Sequence, residues 1–453
     1  MHPENVTRPD RGTEPKLDEP STDEGRFVAA LARIVKREAE LSERRELGAW
    51  RLEGVTSQIV DVDVAMGPSE YTSVALSLTE QIQHHPVERI QGCRGPRPVW
   101  GILETPDGDL TYPLGVTLHA KPGEITPFEC ILVLTHESQG GFTEGNTLRL
   151  SVRAEDVAQA RAWTRDLRDG ASRNHDPLRG KVVELYFSGG DLYPRIIAAP
   201  RQAPGEVIVD PGILAEIDRN VTGHLDAKNL LEQAGLGSNR GVLLYGPPGT
   251  GKTSLVRGII NATNGKATVL VPSSAVVADA LTHVYRDAVR LAPTVVILED
   301  VDVVAGRRGR GGSDLSGFLS ALDGVVQDSG ALVITVATTN DPEGIDEAAK
   351  RPGRIDKFIE VPLPDEQRRR GILERYLTRL QDEGITNTIN PDTVSAIARA
   401  AKGASGALLR EVIRRALLLS HRDNSGTCIT EEHLTDAAKE IGYRVTPATG
   451  QYL

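Results

Sequence analysis

Cysteine is scarce in this chain of 453 residues: Cys93, Cys130 and Cys428 lie far apart with no paired spacing. A disulfide framework and a cysteine metal site are therefore excluded, and reduced, partly buried thiols are expected. Long apolar runs are also missing, since no segment approaches the roughly 18 uninterrupted apolar residues that cross a bilayer. No membrane anchor is expected. The opening Met1-His2-Pro3-Glu4-Asn5 has neither the basic start nor the apolar core of a secretion signal, so the cytoplasm is the expected compartment. An excess of basic charge is absent too: 52 Lys and Arg stand against 63 Asp and Glu, a formal net charge of −11. A general nucleic-acid coat needs surplus cations to neutralise phosphate, so nucleic acid is not an expected partner. The local exception, Gly306-Arg307-Arg308-Gly309-Arg310-Gly311-Gly312, reads equally as a basic patch or a solvated insertion. His84, His85, His119 and His136 are scattered and read as surface or satisfied core residues rather than ligands.

The length implies two or three domains. Residues 1–25 mix Pro, Glu, Asp, Thr and Ser with few large apolar groups and cannot offset the entropy of ordering, so a disordered lead is expected. Phe27, Leu31, Ile34 and Val35 recur at helical spacing and predict an amphipathic helix to about Leu47. From Trp50 to about Arg201 short β runs dominate, at 58–64, 99–103, 111–120, 130–135, 147–152, 181–187 and 193–197, with one helix between Glu155 and Arg168. An α+β N-terminal domain over 26–200 is expected, ending at the Pro/Gly joint 201–205. Strand and helix then alternate over 206–364, with strands at 242–245, 267–271, 294–298, 331–337 and 358–361, which predicts a parallel sheet covered on both faces. Over 365–441 the strands stop. Ile372, Leu373, Tyr376, Leu377 and Leu380 share one helical face, and Leu408, Leu409, Val412, Ile413 and Ala416 another, so a small helical lid is expected, followed by a flexible tail over 442–453.

The chemistry concentrates behind the apolar run Val242-Leu243-Leu244-Tyr245, where Gly246-Pro247-Pro248-Gly249-Thr250-Gly251-Lys252-Thr253 forms a complete phosphate-binding loop. Glycines let backbone N–H groups turn onto phosphates, Lys252 reaches the β- and γ-phosphates, and the Thr253 hydroxyl ligates magnesium at the positive end of a helix. The plain alternative is a glycine-rich turn without chemistry. The buried run Val295 to Leu298 ends in Glu299 and Asp300, with Asp302 beyond, placing two acids where such a fold needs one for the metal's hydration shell and one to polarise water. By position Glu299 serves the metal and Asp300 the water. Asn340 follows the next strand and is placed for the attacking water or the γ-phosphate, with a turn-forming role as the alternative. Arg351-Pro352-Gly353-Arg354 then supplies two guanidinium groups. An arginine delivered to a neighbouring subunit's γ-phosphate contributes about 10³- to 10⁵-fold in rate, and implies a ring.

The order of these segments, with Arg351 to Asp356 closing it, resembles the AAA family of ring ATPases over about Val207 to Ile441. Three features are similar to the subgroup of the mitochondrial AAA chaperone that translocates the Rieske protein: the Glu299-Asp300 order, Val209-Asp210-Pro211-Gly212, and the stretch from Ser316 to Gly324. That subgroup's membrane anchor and mitochondrial leader are missing, so an identical role is not expected. Threading members carry an aromatic in the first pore loop, whereas counting back from Ala292-Pro293 aligns that loop with Ser273-Ser274-Ala275. The family's lid motif is partly kept as Ser405-Gly406-Ala407-Leu408, and nearby Arg410 reads as a surface residue or a nucleotide contact.

The resemblance implies a homo-oligomeric ring, hexameric or heptameric, that hydrolyses ATP with Mg and acts on protein clients. The last residues, Gly450-Gln451-Tyr452-Leu453, resemble the terminal signature of actinobacterial proteasome-activating ATPases. An aromatic beside a carboxylate on a flexible segment suits a pocket with apolar walls and a lysine, and docking on the bacterial proteasome core is the implied role. A protease-independent chaperone and a slow ATP-dependent scaffold or switch remain as alternatives.

Overall fold

The computed structural model describes residues 59–84, 89–91, 99–136, 146–174, 176–188, 191–201, 207–235, 239–273, 278–301, 330–341, 354–423 and 428–445. They fall into two compact units, one holding residues up to 66, 74–101 and 111–171, the other 67–73, 102–110 and 172 onward.

The first unit is built on an antiparallel sheet of β1 (Ile59–Ala65), β2 (Arg89–Gln91), β3 (Val99–Leu103), β4 (Leu110–Ala120), β5 (Cys130–Thr135) and β6 (Thr147–Arg153), ordered β1-β6-β5-β4-β2 with β3 on β4. Burial alternates along β5 and β6, the mark of a sheet with one face on a core. Leu118, Leu132, Leu134, Leu148, Leu150 and Val152 are fully buried, and each such leucine contributes about 2 kcal/mol. Trp163, on the helix Val157–Asn174, meets Phe128 edge-on at 6.4 Å and donates its indole N–H to the Ile125 carbonyl at 3.1 Å.

A second helix, α1 (Pro68–His84), precedes β2, where the sequence reading placed only one helix in this region. Its buried side holds the apolar residues Tyr71, Val74, Ala75 and Leu78 at helical spacing, flanked by the equally buried Ser69, Thr72, Ser73 and Ser77. The hydroxyls of Thr72 and Thr79 donate back to the carbonyls four residues earlier, at 3.0 and 2.8 Å, while the Ser73 hydroxyl lies within reach of both the Ser69 carbonyl at 3.0 Å and Asp176 Oδ2 at 2.8 Å. The helix Val157–Asn174 is numbered α2. His119 is a satisfied core histidine, its Nε2 3.1 Å from Glu129 Oε1.

In the second unit, β7 (Val182–Ser188) and β8 (Asp191–Ile197) are followed by three short helices, α3 (Pro211–Asn220), α4 (Thr222–Asp226) and α5 (Lys228–Gln233). Then come β9 (Arg240–Tyr245), α6 (Lys252–Thr263), β10 (Thr268–Pro272), α7 (Ala278–Arg290), β11 (Thr294–Leu298), β12 (Val333–Thr339) and β13 (Lys357–Glu360). The strands form one sheet ordered β13-β9-β12-β11-β10-β7-β8, parallel except for the β7–β8 hairpin. This corrects the domain boundary expected near residue 201. Residues 182–197 pair with β10 instead of closing the N-terminal domain, with Val269 opposite Val182 and Pro272 opposite Leu185. Arg179 anchors the approach to β7 by donating to the carbonyls of Ser172, Arg290 and Ala292 at 2.9, 2.8 and 2.5 Å.

The lid comprises α8 (Glu366–Asp382), α9 (Pro391–Ala400), α10 (Gly406–Arg422) and α11 (Glu431–Glu440), with the short ribbon of β14 (Thr386–Asn387) and β15 (Cys428–Ile429). Asp365, Asn390, Ser405 and Thr430 cap the four helices with side-chain oxygens, which fixes where each begins. Leu373, Leu377, Val394, Ile397, Leu409, Val412, Ile413 and Ala416 form the lid core. Leu408, expected on that face, is 43% exposed.

Candidate functional site

β9 delivers the phosphate-binding loop. Flanked by β12 and β13, its Val242, Leu243 and Leu244 are buried throughout, which is why the run is continuously apolar. The chain then turns through Gly246 at φ 146° and Gly249 at φ 76°. A Cβ at Gly246 would lie 2.3 Å from the Val361 carbonyl oxygen, and one at Gly249 would lie 2.8 Å from both the Ala407 Cβ and the Ser405 Oγ. Glycine is thus demanded at these positions by the continuation of β13 and by the lid, besides any demand from phosphate. The Ala407 N–H donates to the Gly249 carbonyl at 3.2 Å, so α10 rests directly on the loop. Gly251 is the N-cap of α6 and supplies no side-chain acceptor, so the first-turn amides point at the loop unmasked.

Lys252 is 7% exposed, and its Nζ donates to the carbonyls of Gly246 and Pro247 at 2.7 and 3.0 Å and to Asn340 Oδ1 at 2.7 Å. Asn340, at the end of β12, in turn directs its Nδ2 to Asp300 Oδ1 at 3.4 Å. Asp300 holds a left-handed backbone, φ 49°, and its N–H donates to the Thr338 hydroxyl at 2.9 Å. Glu299 hydrogen-bonds to the Thr253 side chain. Burial pushes the Glu299 carboxyl above the usual range; Asp300 adds to this, while the Thr253 bond and Arg257 oppose it. The two acids at the end of β11 therefore face different partners: Glu299 meets the first turn of α6, and Asp300 meets Asn340.

Arg354 lies at the opposite end of the sheet. Its carbonyl oxygen packs where a Cβ on Gly241 would come within 1.7 Å, at the start of β9, and the next turn is fixed by Asp356, whose carboxylate accepts from the Gly241 N–H at 3.0 Å. Arg351, Ser274, Ala275, the basic loop 306–312, the stretch 316–324, the lead 1–25, the helix expected at 27–47 and the tail residues Gly450, Gln451, Tyr452 and Leu453 lie outside the described residues. Ser273 is described. Its N–H donates to the Leu185 carbonyl at 2.8 Å, while its hydroxyl is buried with no partner among the described residues. Arg410 is exposed.

Sequence reasoning singled out Val209 to Gly212 for its resemblance but missed the strap that residues 207–210 form ahead of α3. A Cβ on Gly251 would meet Val207 Cγ1 at 3.9 Å, and one on Gly371 would meet Ile208 Cγ2 at 3.4 Å, so the strap lies between the loop and α8. Asp210 caps α3 by accepting from the Gly212 N–H at 2.7 Å and also pairs with Arg368, which reaches Asp365 at 3.1 Å. The available signal was three apolar residues ahead of an Asp-Pro helix start.

Among the described residues no helix is long and apolar enough to cross a membrane. The profile of the ATPase family associated with various cellular activities (AAA) matches residues 242–363. The chain is 34% identical over 240 residues to the proteasome-activating nucleotidase of Methanothermobacter thermautotrophicus, covering 50% of this chain and 56% of that one. It is 30% identical over 293 residues to the nucleotidase of the same name from Thermococcus kodakarensis, covering 61% and 72%. The Cell division cycle protein 48 homolog of Archaeoglobus fulgidus is 34% identical over 214 residues, 45% of this chain and 28% of that one. The chain thus spans little more than half of the first of these relatives and about a quarter of the third.

Proposed function

The chain belongs to the AAA family of ATPases, and we propose that it is an ATP-hydrolysing ring protein that remodels or delivers protein clients. One observation carries this reading: Lys252, Asn340 and Asp300 form one hydrogen-bonded line and Thr253 with Glu299 a second, both meeting at the start of α6.

In the proposed reaction water attacks the γ-phosphorus of ATP and the bond to the bridging oxygen breaks, giving ADP and inorganic phosphate. The loop amides and Lys252 bind the phosphates, so Lys252 exchanges its Gly246 and Pro247 acceptors for phosphate oxygens. Asp300, oriented by its backbone bond to Thr338 and by Asn340, accepts hydrogen bonding from the attacking water. The Thr253 hydroxyl and Glu299 carboxylate are hard oxygen donors of the kind that suits magnesium with most of its water retained, and they would hold it. Magnesium, when bound, supplies charge neutralisation on the phosphates. The Glu299-Asp300 order, similar to the Rieske-translocase subgroup, fits this division. Arg351 and Arg354 act on the neighbouring protomer's nucleotide, which makes the working unit a ring of six or seven.

We further propose that Gly450 to Leu453 docks on a proteasome core. The resemblance of this segment to proteasome-activating ATPases supports it, as do the relatives named proteasome-activating nucleotidases. A protease-independent chaperone is the second reading, favoured by Ser273 at the pore-loop position. Lys252→Ala should abolish nucleotide binding, whereas Asp300→Asn should bind ATP and lose turnover by about 10²-fold or more. Parental hydrolysis in both variants would reject the site. Deleting the last three residues should abolish co-purification with the core particle, and unchanged binding would reject docking while leaving the ATPase intact.

A further inference from the structure

Three strands run side by side at the β8 edge of the second unit's sheet, and their register sets a row of side chains on one face. Val271, Glu184 and Arg195 make one row, because Val271 pairs with Glu184 and Glu184 with Arg195. The next row on that face is Ser273, Tyr186 and Tyr193: Tyr186 pairs with Tyr193, and the bond from the Ser273 N–H to the Leu185 carbonyl carries the β10–β7 ladder one residue further. The tyrosine rings stack at 5.9 Å with 28° between their planes, and the Arg195 guanidinium lies 5.8 Å above the Tyr186 ring while hydrogen-bonding Glu184 at 3.1 Å. Tyr186 is 39% exposed.

We propose that the Tyr186–Tyr193 pair is the surface that grips an extended, unfolded segment of a protein client. This rests on the client-handling reading above. Ser273 offers no ring, and its hydroxyl oxygen is buried. The aromatic surface stands instead in the same row, one and two strands further along.

Three observations select the occupant. Two tyrosines can bury at most about 400 Å² between them, well below the roughly 800 Å² per partner of a stable interface. The patch therefore suits a transient hold on a moving chain rather than a permanent contact with a second copy. Glu184 and Arg195 neutralise each other, so neither sign of client charge is selected. Aromatic faces hold apolar and backbone groups with little sequence demand, as a client grip must. Finally, stacking and the Arg195 contact fix both rings in place, so little side-chain freedom is lost on contact.

The test uses the full chain, with fluorescein-labelled, permanently unfolded casein as the probe. Tyr186→Ala with Tyr193→Ala should weaken casein capture and casein-stimulated turnover about tenfold, with turnover in the absence of casein and ring size unchanged. Tyr186→Phe with Tyr193→Phe should match the parent. A benzophenone amino acid at position 186 keeps a ring there and should crosslink to casein when ATP is present. Parental casein capture by the double alanine variant, no crosslink from position 186, or an altered ring size would each overturn the proposal. Failure of the ring-ATPase reading looks different: the parent itself would then show no ATP turnover that depends on Lys252.

Discussion

Arg354 cannot serve the phosphate-binding loop of its own protomer. Its backbone packs against Gly241, and Gly246 lies five residue steps further along the line of β9. At about 3.3 Å per residue that is roughly 16 Å of strand, whereas an arginine side chain extends about 7 Å. The guanidinium falls short by roughly 9 Å, so any contribution it makes to hydrolysis is made on a neighbour. Replacing both Arg351 and Arg354 by alanine should lower turnover by about 10³-fold or more while leaving nucleotide binding intact. Mixing this variant with Lys252→Ala before assembly gives a sharper measurement. Each is inactive alone, one lacking the donated arginines and the other the loop lysine. In a randomly mixed ring with head-to-tail contacts, about a quarter of the sites combine an intact loop with an arginine-bearing neighbour. An equal mixture should therefore recover about a quarter of the parental phosphate release, and the fraction should trace a parabola as the ratio is varied. A mixture no more active than its components would refute the reasoning.

Three further outcomes follow from local geometry. The acid limb of kcat/KM should lie above the ordinary glutamate range of about 4.3, because burial raises Glu299 and its ionised form is the one required; Arg257→Ala removes a cation that favours that form and should move the limb to higher pH. Gly246→Ala sets a Cβ against a backbone carbonyl at a φ reserved for glycine, so a loss of ~3 kcal/mol or more is expected in urea titration even without nucleotide. Cys130 is fully buried and its thiol is pushed up to about 12, mainly by burial. In the folded protein iodoacetamide should label the half-buried Cys428 well before Cys130, as mass spectrometry would record, and in urea both should react.

The nucleotide fold was legible because its signals are local. Val242 to Thr253 carries strand, turn and helix start in one stretch, and the apolar run into Glu299 marks the end of β11. The lid helices were legible from the spacing of Leu373 with Leu377 and of Leu409, Val412, Ile413 and Ala416. What was hidden is either diluted or non-local. In α1 the apolar set Tyr71, Val74, Ala75 and Leu78 is short and interleaved with the buried hydroxyls of Ser69, Thr72, Ser73 and Ser77, so its helical period stands out less than the β runs around it. The β7–β8 hairpin was visible as two strands, but its membership in the parallel sheet depends on the free edge of β10, about 80 residues later. Proximity in sequence assigned it to the wrong unit. The contact of Ala407 with Gly249 likewise joins positions that no pattern within either segment relates.

Among the described residues two polar latches join the lid to the nucleotide fold, the Ala407 to Gly249 bond and the pairing of Arg368 with Asp210, and the chain itself crosses at Asp365, beside the second. Two pinned points leave a body only one easy rotation, about the line that joins them. A rotation about that axle would carry each part of the four-helix cluster further the more distant it lies from the line.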